Sequence, residues 1–270
     1  MRTNRTDLVP TCVGRRDRCG RKGPILCRRV SLLTSRYGGP VDATVVITGG
    51  TGGLGATVTA HFLDAGWRVV VPWVAAHELD RLPTHEALHA VQADLFEPAG
   101  AAACVEPAAA DPGAPLRAVV NLVGGFASGG RVHETSVEQF DAQLRLNLRP
   151  AYLVCQAALP HLIEAGGGSI VCMSSRSAVR PVKGAAGYVT AKAAVLAFVD
   201  TLAVEYRDDG IRANAILPSV IDTPGNRAAQ PGADTSRWVA PAEIAELILF
   251  LCGEGARPLS GAHIPVYGGA

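Results

Sequence analysis

From Thr44 onward, short runs of β-branched and apolar residues alternate strictly with longer runs of helical periodicity. The short runs predict seven strands, at Thr44–Thr48, Arg68–Val71, Leu88–Gln92, Arg117–Leu122, Ser169–Met173, Ile211–Leu217 and Ala262–Val266. The longer runs predict helices at Leu54–Ala65, Ala75–Arg81, Pro98–Ala110, Ser136–Ala165, Gly187–Arg207 and Pro241–Cys252. Strands that alternate with helices form a parallel sheet covered on both faces. We therefore predict a single doubly wound α/β domain with a seven-stranded sheet.

The first forty residues differ in composition from the rest of the chain. Residues 1–40 contain ten Lys and Arg against two Asp, a net charge of +8, and since the whole chain carries +1 the remainder carries −7. Gly and Pro interrupt this segment and no periodicity is visible, so we predict a disordered basic extension at 1–40 and one folded domain over 41–270. An organelle transit peptide and a nucleic-acid-binding arm are two interpretations of the extension. We favour a third, a start site assigned too early, with the protein beginning near Val41.

Composition narrows the function of the folded part. The net charge of +1 favours neither nucleic acid nor a membrane surface as a partner. No apolar stretch approaches the roughly 20 uninterrupted residues of a membrane span. The seven cysteines and seven histidines show no metal-ligand or redox spacing, so we predict reduced thiols, no metal and a cytoplasmic location.

A glycine-rich turn follows the first predicted strand and opens the first predicted helix. It reads Thr48-Gly49-Gly50-Thr51-Gly52-Gly53-Leu54-Gly55. Glycines allow a tight turn and close approach of a pyrophosphate, and the helix N-terminus offers unpaired N–H groups to it. A plain strand-to-helix turn also uses glycine, so the position within a strand–helix–strand unit carries the prediction. We predict a Rossmann-type site for NADP or NAD.

Tyr188 and Lys192 lie four residues apart near the start of a predicted helix, which places both side chains on one helical face. A carbonyl reductase must deliver a proton to oxygen as hydride reaches carbon. A free phenol has a pKa of about 10 and is a poor acid near neutrality. A neighbouring ammonium favours the phenolate and lowers that pKa. The pair therefore predicts an acid–base centre, although this spacing alone is common on helices.

Ser174 and Ser175 follow the predicted strand Ser169–Met173, hence lie at a carboxyl strand end where a cofactor crevice opens. This stretch resembles the short-chain dehydrogenase/reductase superfamily, in which Tyr-x-x-x-Lys begins thirteen residues beyond the second serine. The resemblance covers roughly residues 43–269. It implies that Ser175 orients the substrate oxygen, that Tyr188 exchanges the proton, and that Lys192 tunes Tyr188 and holds the nicotinamide ribose.

Asn147 is the fourth catalytic residue that the resemblance implies, with the role of holding a water in a proton relay. It lies in the predicted helix Ser136–Ala165, beside Pro150. Proline has no N–H to give the carbonyl of Leu146, so we predict a kink that frees backbone groups next to Asn147.

The resemblance also implies the cofactor contacts, some of them with departures from the family pattern. Leu122 and Val123 depart from its Asn-Asn-Ala-Gly segment, and Ser219 and Tyr267 replace a common Gly and Asp. The implied contacts are Gly49, Thr51, Gly53, Leu54, Gly55, Asp94, Leu95, Asn121, Gly124, Tyr188, Lys192, Pro218, Ile221 and Thr223.

The sequence contains weaker signals for the choice between NAD and NADP and for the substrate. The second strand ends Val71-Pro72-Trp73-Val74 without an acid for the ribose 2′-hydroxyl, which favours NADP weakly over NAD. We predict a substrate lid from Pro224 to Val239. The cations Arg176, Arg180, Lys183 and Arg227 are either ordinary surface charges or an attraction for an anionic substrate such as a carrier-bound acyl chain.

Three functions remain open from the sequence. The leading prediction is a reductase resembling 3-oxoacyl-acyl-carrier-protein reductases and related ketoreductases. The run from Gly124 to Gly130 is similar to dihydropteridine reductases, which lack the serine, so Ser175 counts against that alternative. A dinucleotide sensor or scaffold without turnover is the third. The resemblance to the family also implies a dimer or a homotetramer. Two predicted helices have apolar faces that suit either a subunit interface or the core of the domain. These faces contain Leu153, Val154, Ala157 and Ala158 on one helix, and Val195, Leu196, Val199 and Leu202 on the other.

Overall fold

A computed structural model describes residues 42–269, so the predicted extension at 1–40 lies outside the described residues. Seven parallel strands form one sheet in the order β3-β2-β1-β4-β5-β6-β7. The strands are β1 Thr44–Thr48, β2 Arg68–Trp73, β3 Leu88–Gln92, β4 Leu116–Asn121, β5 Gly168–Met173, β6 Ile211–Pro218 and β7 His263–Val266. The predicted doubly wound fold is confirmed.

Seven α-helices connect these strands within residues 42–269. They are α1 Gly55–Asp64, α2 Pro98–Ala109, α3 Val137–Asn147, α4 Arg149–Glu164, α5 Ala186–Glu205, α6 Pro224–Ala229 and α7 Pro241–Cys252. By length and composition α5 could cross a membrane, but it packs within the domain, where it carries Tyr188 and Lys192.

Two apolar cores lie on opposite faces of the sheet, which is why the strands are apolar throughout rather than alternating. Val46 of β1 belongs to the core that α2, α4 and α5 cover. Its neighbours Val45 and Ile47 point the other way, into the core that α1 and α7 cover. Burial on both faces fixes the strand register, because a slip of one residue would exchange the two sets of side chains.

The sheet changes direction between β1 and β4, and this determines where a ligand can bind. From β1 the chain moves outward to β2 and β3, and then returns to the other side of β1 as β4. Thr48 pairs with Asn121 at the carboxyl ends of these two strands. In open parallel sheets ligands bind in the crevice beyond such a switch point.

Two predicted helices differ in the structure. The helix predicted at Ser136–Ala165 is two helices, α3 and α4, which break at Leu148 (φ −120°, ψ −47°). Pro150 lies in the first turn of α4, where a helix does not need its N–H, so the chain starts a new helix rather than kinking one.

The helix predicted at Ala75–Arg81 is a 3₁₀ segment over Ala76–Arg81. The predicted lid, Pro224 to Val239, contains α6 and a 3₁₀ turn at Thr235–Arg237, and Val239 is buried and bridged to Ile221. These segments are short, so hydrophobic periodicity could not specify them.

Candidate active site

The glycine turn depends on the absence of side chains at two positions. Gly49 has φ +68°, a left-handed conformation that favours glycine. A Cβ on Gly55 would lie 1.9 Å from the Gly49 carbonyl oxygen, so α1 can begin this close to β1 only with glycine there. The turn thereby aims the first N–H groups of α1 outward at the carboxyl edge of the sheet.

The glycine turn lies beside the segment after β6, at the crevice where a doubly wound sheet binds a dinucleotide (the cofactor cleft). Gly53 is exposed, and a Cβ on it would come within 3.2 Å of the Thr223 side chain. Thr223 in turn caps α6, because its hydroxyl accepts a hydrogen bond from the Asn226 N–H (3.3 Å). Backbone N–H groups at a helix N-terminus beside a hydroxyl fit a pyrophosphate, and so the residues present fit NAD or NADP.

Tyr188 and Lys192 occupy successive turns of α5, as predicted. Tyr188 is in the first turn, half-buried, and packs edge-on against the exposed ring of Phe126 with centroids 5.0 Å apart. The Lys192 ammonium lies 5.9 Å from the centre of the Tyr188 ring. Lys192 is only 3% exposed, and it donates a hydrogen bond to the Met173 carbonyl at 3.0 Å.

The two serines after β5 have different surroundings. Ser174 donates its hydroxyl proton to the Lys192 carbonyl at 2.7 Å, which ties the end of β5 to α5. The Ser175 hydroxyl oxygen instead accepts a bond from the Ser177 N–H at 3.1 Å. A hydroxyl that accepts one bond still has its proton and a second lone pair. Ser175 is thus the serine that can contact a substrate, in agreement with the spacing argument.

Burial sets the proton affinities at this site. It raises the pKa of Tyr188 above its ordinary value, and the Ser175 side chain opposes this in part. Burial also lowers the pKa of Lys192 to about 8, and the nearby Cys172 thiol opposes this shift. The phenol is therefore protonated near neutrality in the protein alone, and the ammonium is held less firmly than on a free lysine.

Asn147 is the last residue of α3 and is buried. Its amide oxygen accepts from the Gly125 N–H at 3.0 Å, and its amide nitrogen donates to the carbonyls of Gly125 and Gln143, each at 3.1 Å. These bonds use both donors of the side chain. The geometry therefore gives Asn147 the role of positioning the loop after β4, and the predicted water relay stays a prediction.

Gly124 lies next to the side chains of both Asn147 and Lys192. A Cβ on this exposed glycine would lie 2.7 Å from the Asn147 amide oxygen and 2.8 Å from the Lys192 ammonium nitrogen. Any larger residue would thus fill the space that a ligand needs beside both groups.

Two of the predicted cofactor residues, Asn121 and Leu95, have side chains directed into the interior. The Asn121 amide is buried and donates to the thiols of Cys155 (3.3 Å) and Cys172 (3.7 Å). Leu95 is buried in the core that α2 covers. Both side chains complete the interior, so any contact with a ligand at these two positions would be made by backbone groups, and the predicted cofactor contacts stay predictions.

The structure favours one of the two interpretations that the sequence left open for two other sets of residues. Seven of the eight apolar residues proposed as an interface on the helices are buried in the domain, and Ala157 is partly buried, so core packing accounts for them. Arg227 forms a bidentate ion pair with Asp222 and is not a free cation at the rim.

Sequence reasoning also missed residues that the fold brings to the crevice. The carboxylate of Glu78 and the guanidinium of Arg81 reach the glycine turn from the 3₁₀ segment after β2. Phe126 covers Tyr188. No local pattern marks these side chains, because their contacts depend on how loops fold back onto the sheet edge.

Comparisons with known proteins show which family this chain is similar to. A family model described as Enoyl-(Acyl carrier protein) reductase matches residues 49–270. The chain is 32% identical over 246 residues to the 2-(R)-hydroxypropyl-CoM dehydrogenase of Xanthobacter autotrophicus, covering 84% of this chain and 98% of that one. It is 29% identical to the D-threitol dehydrogenase of Mycolicibacterium smegmatis, covering 83% and 91%. A solved short-chain type dehydrogenase/reductase of Mycobacterium ulcerans superimposes with a TM-score of 0.78 at 26% identity, over 84% of this chain and 89% of that one.

Proposed function

The chain belongs to the short-chain dehydrogenase/reductase superfamily and is an NAD(P)-dependent oxidoreductase acting on CH–OH groups, and we propose that it is a ketoreductase of 3-oxoacyl thioesters or similar extended ketones. One observation carries the proposal. The ammonium of Lys192 lies 5.9 Å from the centre of the Tyr188 ring and next to Gly124, and the Ser175 side chain is near enough to Tyr188 to lower its pKa.

In the proposed reaction, hydride transfer and proton transfer are carried out by different groups. When bound, the nicotinamide supplies or accepts the hydride. Ser175 donates its free hydroxyl proton to the substrate oxygen and orients it, and Tyr188 transfers the proton that this oxygen gains or loses. The Lys192 ammonium stabilises the phenolate form of Tyr188 and offers hydrogen bonds to the ribose beside it. Gly49, Gly53 and Gly55 let the backbone approach the pyrophosphate, and Thr223 closes the cleft from the other side.

The substrate class rests on the rim of the site and on the names of the relatives. Arg176 and Arg180 follow Ser175 and place their guanidinium groups 5.7 and 5.8 Å from the ring centre of Tyr267. Within residues 42–269 neither has a carboxylate partner, so both can attract an anionic substituent. The matching family model is named for acyl-carrier-protein chemistry, and one relative for a hydroxyl on a chain linked to CoM. The presence of Ser175 after β5 speaks against the dihydropteridine reductase alternative.

We also propose a homo-oligomer, a dimer or a tetramer, with a different surface from the one the sequence suggested. Tyr152 of α4 is 48% exposed and meets Phe198 of α5 with ring centres 5.7 Å apart. Together with Leu144, Leu148 and Ala194 they line an open groove that also contains four charged residues, Glu97, Asp141, Arg145 and Arg149. An apolar groove with charges of both signs suits a self-complementary contact between two copies.

The experiment that tests the proposed activity is a substrate panel. Purified protein is mixed with NADH or NADPH and with simple ketones, 3-oxoacyl thioesters or quinonoid dihydropterin, and oxidation of the reduced cofactor is followed. The proposal expects turnover of ketones, fastest with 3-oxoacyl thioesters. Fastest turnover of the dihydropterin would contradict the ketoreductase assignment.

A further inference from the structure

The adenosine end of the cleft contains a carboxylate that strand β2 itself does not provide. Strand β2 ends at Trp73, and the 3₁₀ segment Ala76–Arg81 then folds back toward the glycine turn. There the hydroxyl of Thr51 donates a hydrogen bond to a carboxylate oxygen of Glu78 at 2.8 Å. The Glu78 side chain is 30% exposed, so part of it is accessible to a ligand.

Arg81 holds this carboxylate in place. Its guanidinium donates to the Thr51 carbonyl at 3.2 Å and lies 3.6 Å from the other carboxylate oxygen of Glu78. The three groups form a closed cluster around one residue of the glycine turn. The bond from Thr51 and the contact with Arg81 use only part of what a carboxylate can accept, which is about four hydrogen bonds.

In a doubly wound fold the ribose nearest the adenine lies between the end of the second strand and the glycine turn. Glu78 occupies that interval, since it follows β2 and contacts Thr51. On the basis of the proposed function, we infer that Glu78 accepts hydrogen bonds from the ribose hydroxyls of NAD and selects NAD over NADP. This reverses the weak preference for NADP, whose premise was that no acid lies near this ribose.

The charges decide the direction of the selection. A ribose 2′-hydroxyl can donate to the Glu78 carboxylate, whereas a 2′-phosphate would bring negative charge against it. Arg81 does not reverse this, because its positive charge faces Glu78 and is balanced by it. Once the Glu78 charge is removed, Arg81 is a free cation half exposed at the same place, and it then favours the phosphate. Arg81 is thus a positioning residue in the native protein.

Titration calorimetry of the full chain with NAD⁺ and NADP⁺ tests the inference without any substrate. We expect the native protein to bind NAD⁺ more tightly. Glu78→Gln should weaken NAD⁺ binding by about tenfold, the loss of one hydrogen bond to a charged group, and should strengthen NADP⁺ binding. Adding Arg81→Ala to Glu78→Gln should remove the gain for NADP⁺. The matched control is Asp80→Asn, an exposed acid of the same segment, which should leave both affinities unchanged.

The outcomes separate this inference from the proposed function. The role of Glu78 is contradicted if the native protein binds NADP⁺ more tightly than NAD⁺. It is also contradicted if Glu78→Gln leaves the ratio of the two affinities unchanged. Neither result affects the proposed function. Native protein that binds neither nucleotide contradicts the proposed function and this inference with it. A thermal midpoint of Glu78→Gln equal to the native value shows that a changed ratio does not come from unfolding.

Discussion

The side chain of Asn147 holds the backbone of Gly125 in both directions, accepting from its N–H at 3.0 Å and donating to its carbonyl at 3.1 Å. A carboxamide can make this paired contact because it carries a donor and an acceptor side by side. The end of α3 thereby fixes the loop after β4, which includes Gly124 and the Phe126 ring that packs on Tyr188. These paired hydrogen bonds between Asn147 and Gly125, which we call the clamp, position the loop that carries part of the site.

Asn147→Leu should loosen this loop. Leucine removes all the hydrogen bonds of the amide, so we expect the Gly125 N–H to exchange with solvent at least about tenfold faster, the equivalent of one lost hydrogen bond. Hydrogen exchange followed by mass spectrometry or NMR measures this directly. Asn147→Asp keeps the acceptor and should retain most of the protection. Unchanged exchange in the leucine variant would show that the clamp does not hold the loop.

Gly124→Ala should impair turnover without unfolding the protein. The added methyl would lie 2.7 Å from the Asn147 oxygen and 2.8 Å from the Lys192 nitrogen, so both polar groups must move. The control is Gly129→Ala in the same loop, where a Cβ meets nothing within 4 Å. Steady-state rates measure turnover and thermal midpoints measure stability in the two variants. Equal rates would mean that Gly124 does not define the space at the site.

The two serines after β5 should separate into one structural and one catalytic residue. Ser174→Ala loses the 2.7 Å bond to the Lys192 carbonyl, and we expect it to lower the free energy of unfolding by about 1–2 kcal/mol while much of the turnover remains. Ser175→Ala should instead lose most of the turnover with a smaller change in stability. Urea unfolding and steady-state kinetics on both variants provide the comparison. The reverse pattern would transfer the catalytic role to Ser174.

Lys192 should leave a signature in the pH dependence of stability. Burial lowers its pKa from 10.5 to about 8, so between these values the unfolded chain carries a proton that the folded chain has lost. The contribution of Lys192 to the free energy of unfolding therefore rises with pH across this window, by up to ~1.4 kcal/mol per pH unit, and is constant below it. Urea unfolding of the native protein and of Lys192→Met measures the difference. A difference that stays flat from pH 8 to 10.5 would contradict the lowered pKa.

Much of the fold could be predicted because its signals are local and repeated. All seven strands were located within one or two residues, since each is a short apolar run between turn residues. The sequence predicts a kink within one helix, whereas the structure has two helices that break at Leu148. Sequence alone does not say whether Pro150 interrupts one helix or starts the next. The 3₁₀ segment at Ala76–Arg81 is too short for its pattern to distinguish it from an α-helix.

The site was predictable where motif spacing fixes geometry. Tyr188 and Lys192 share a helix, so their proximity follows from the spacing of four residues. Glu78 and Thr51 meet across 27 residues, and nothing local predicts that contact. Asn121 fits the family pattern but turns its amide to two buried thiols, which depends on the packing of α4 and β5 around it.

In the proposed mechanism Tyr188 moves the proton at the reacting oxygen, and the substitution Tyr188→Phe tests this role. Phenylalanine keeps the ring that packs on Phe126 and removes only the hydroxyl. With the best ketone of the substrate panel, we predict that turnover falls at least about a hundredfold while calorimetric affinity for the cofactor stays close to native. Turnover at the native rate in a variant that still binds the cofactor would contradict the account.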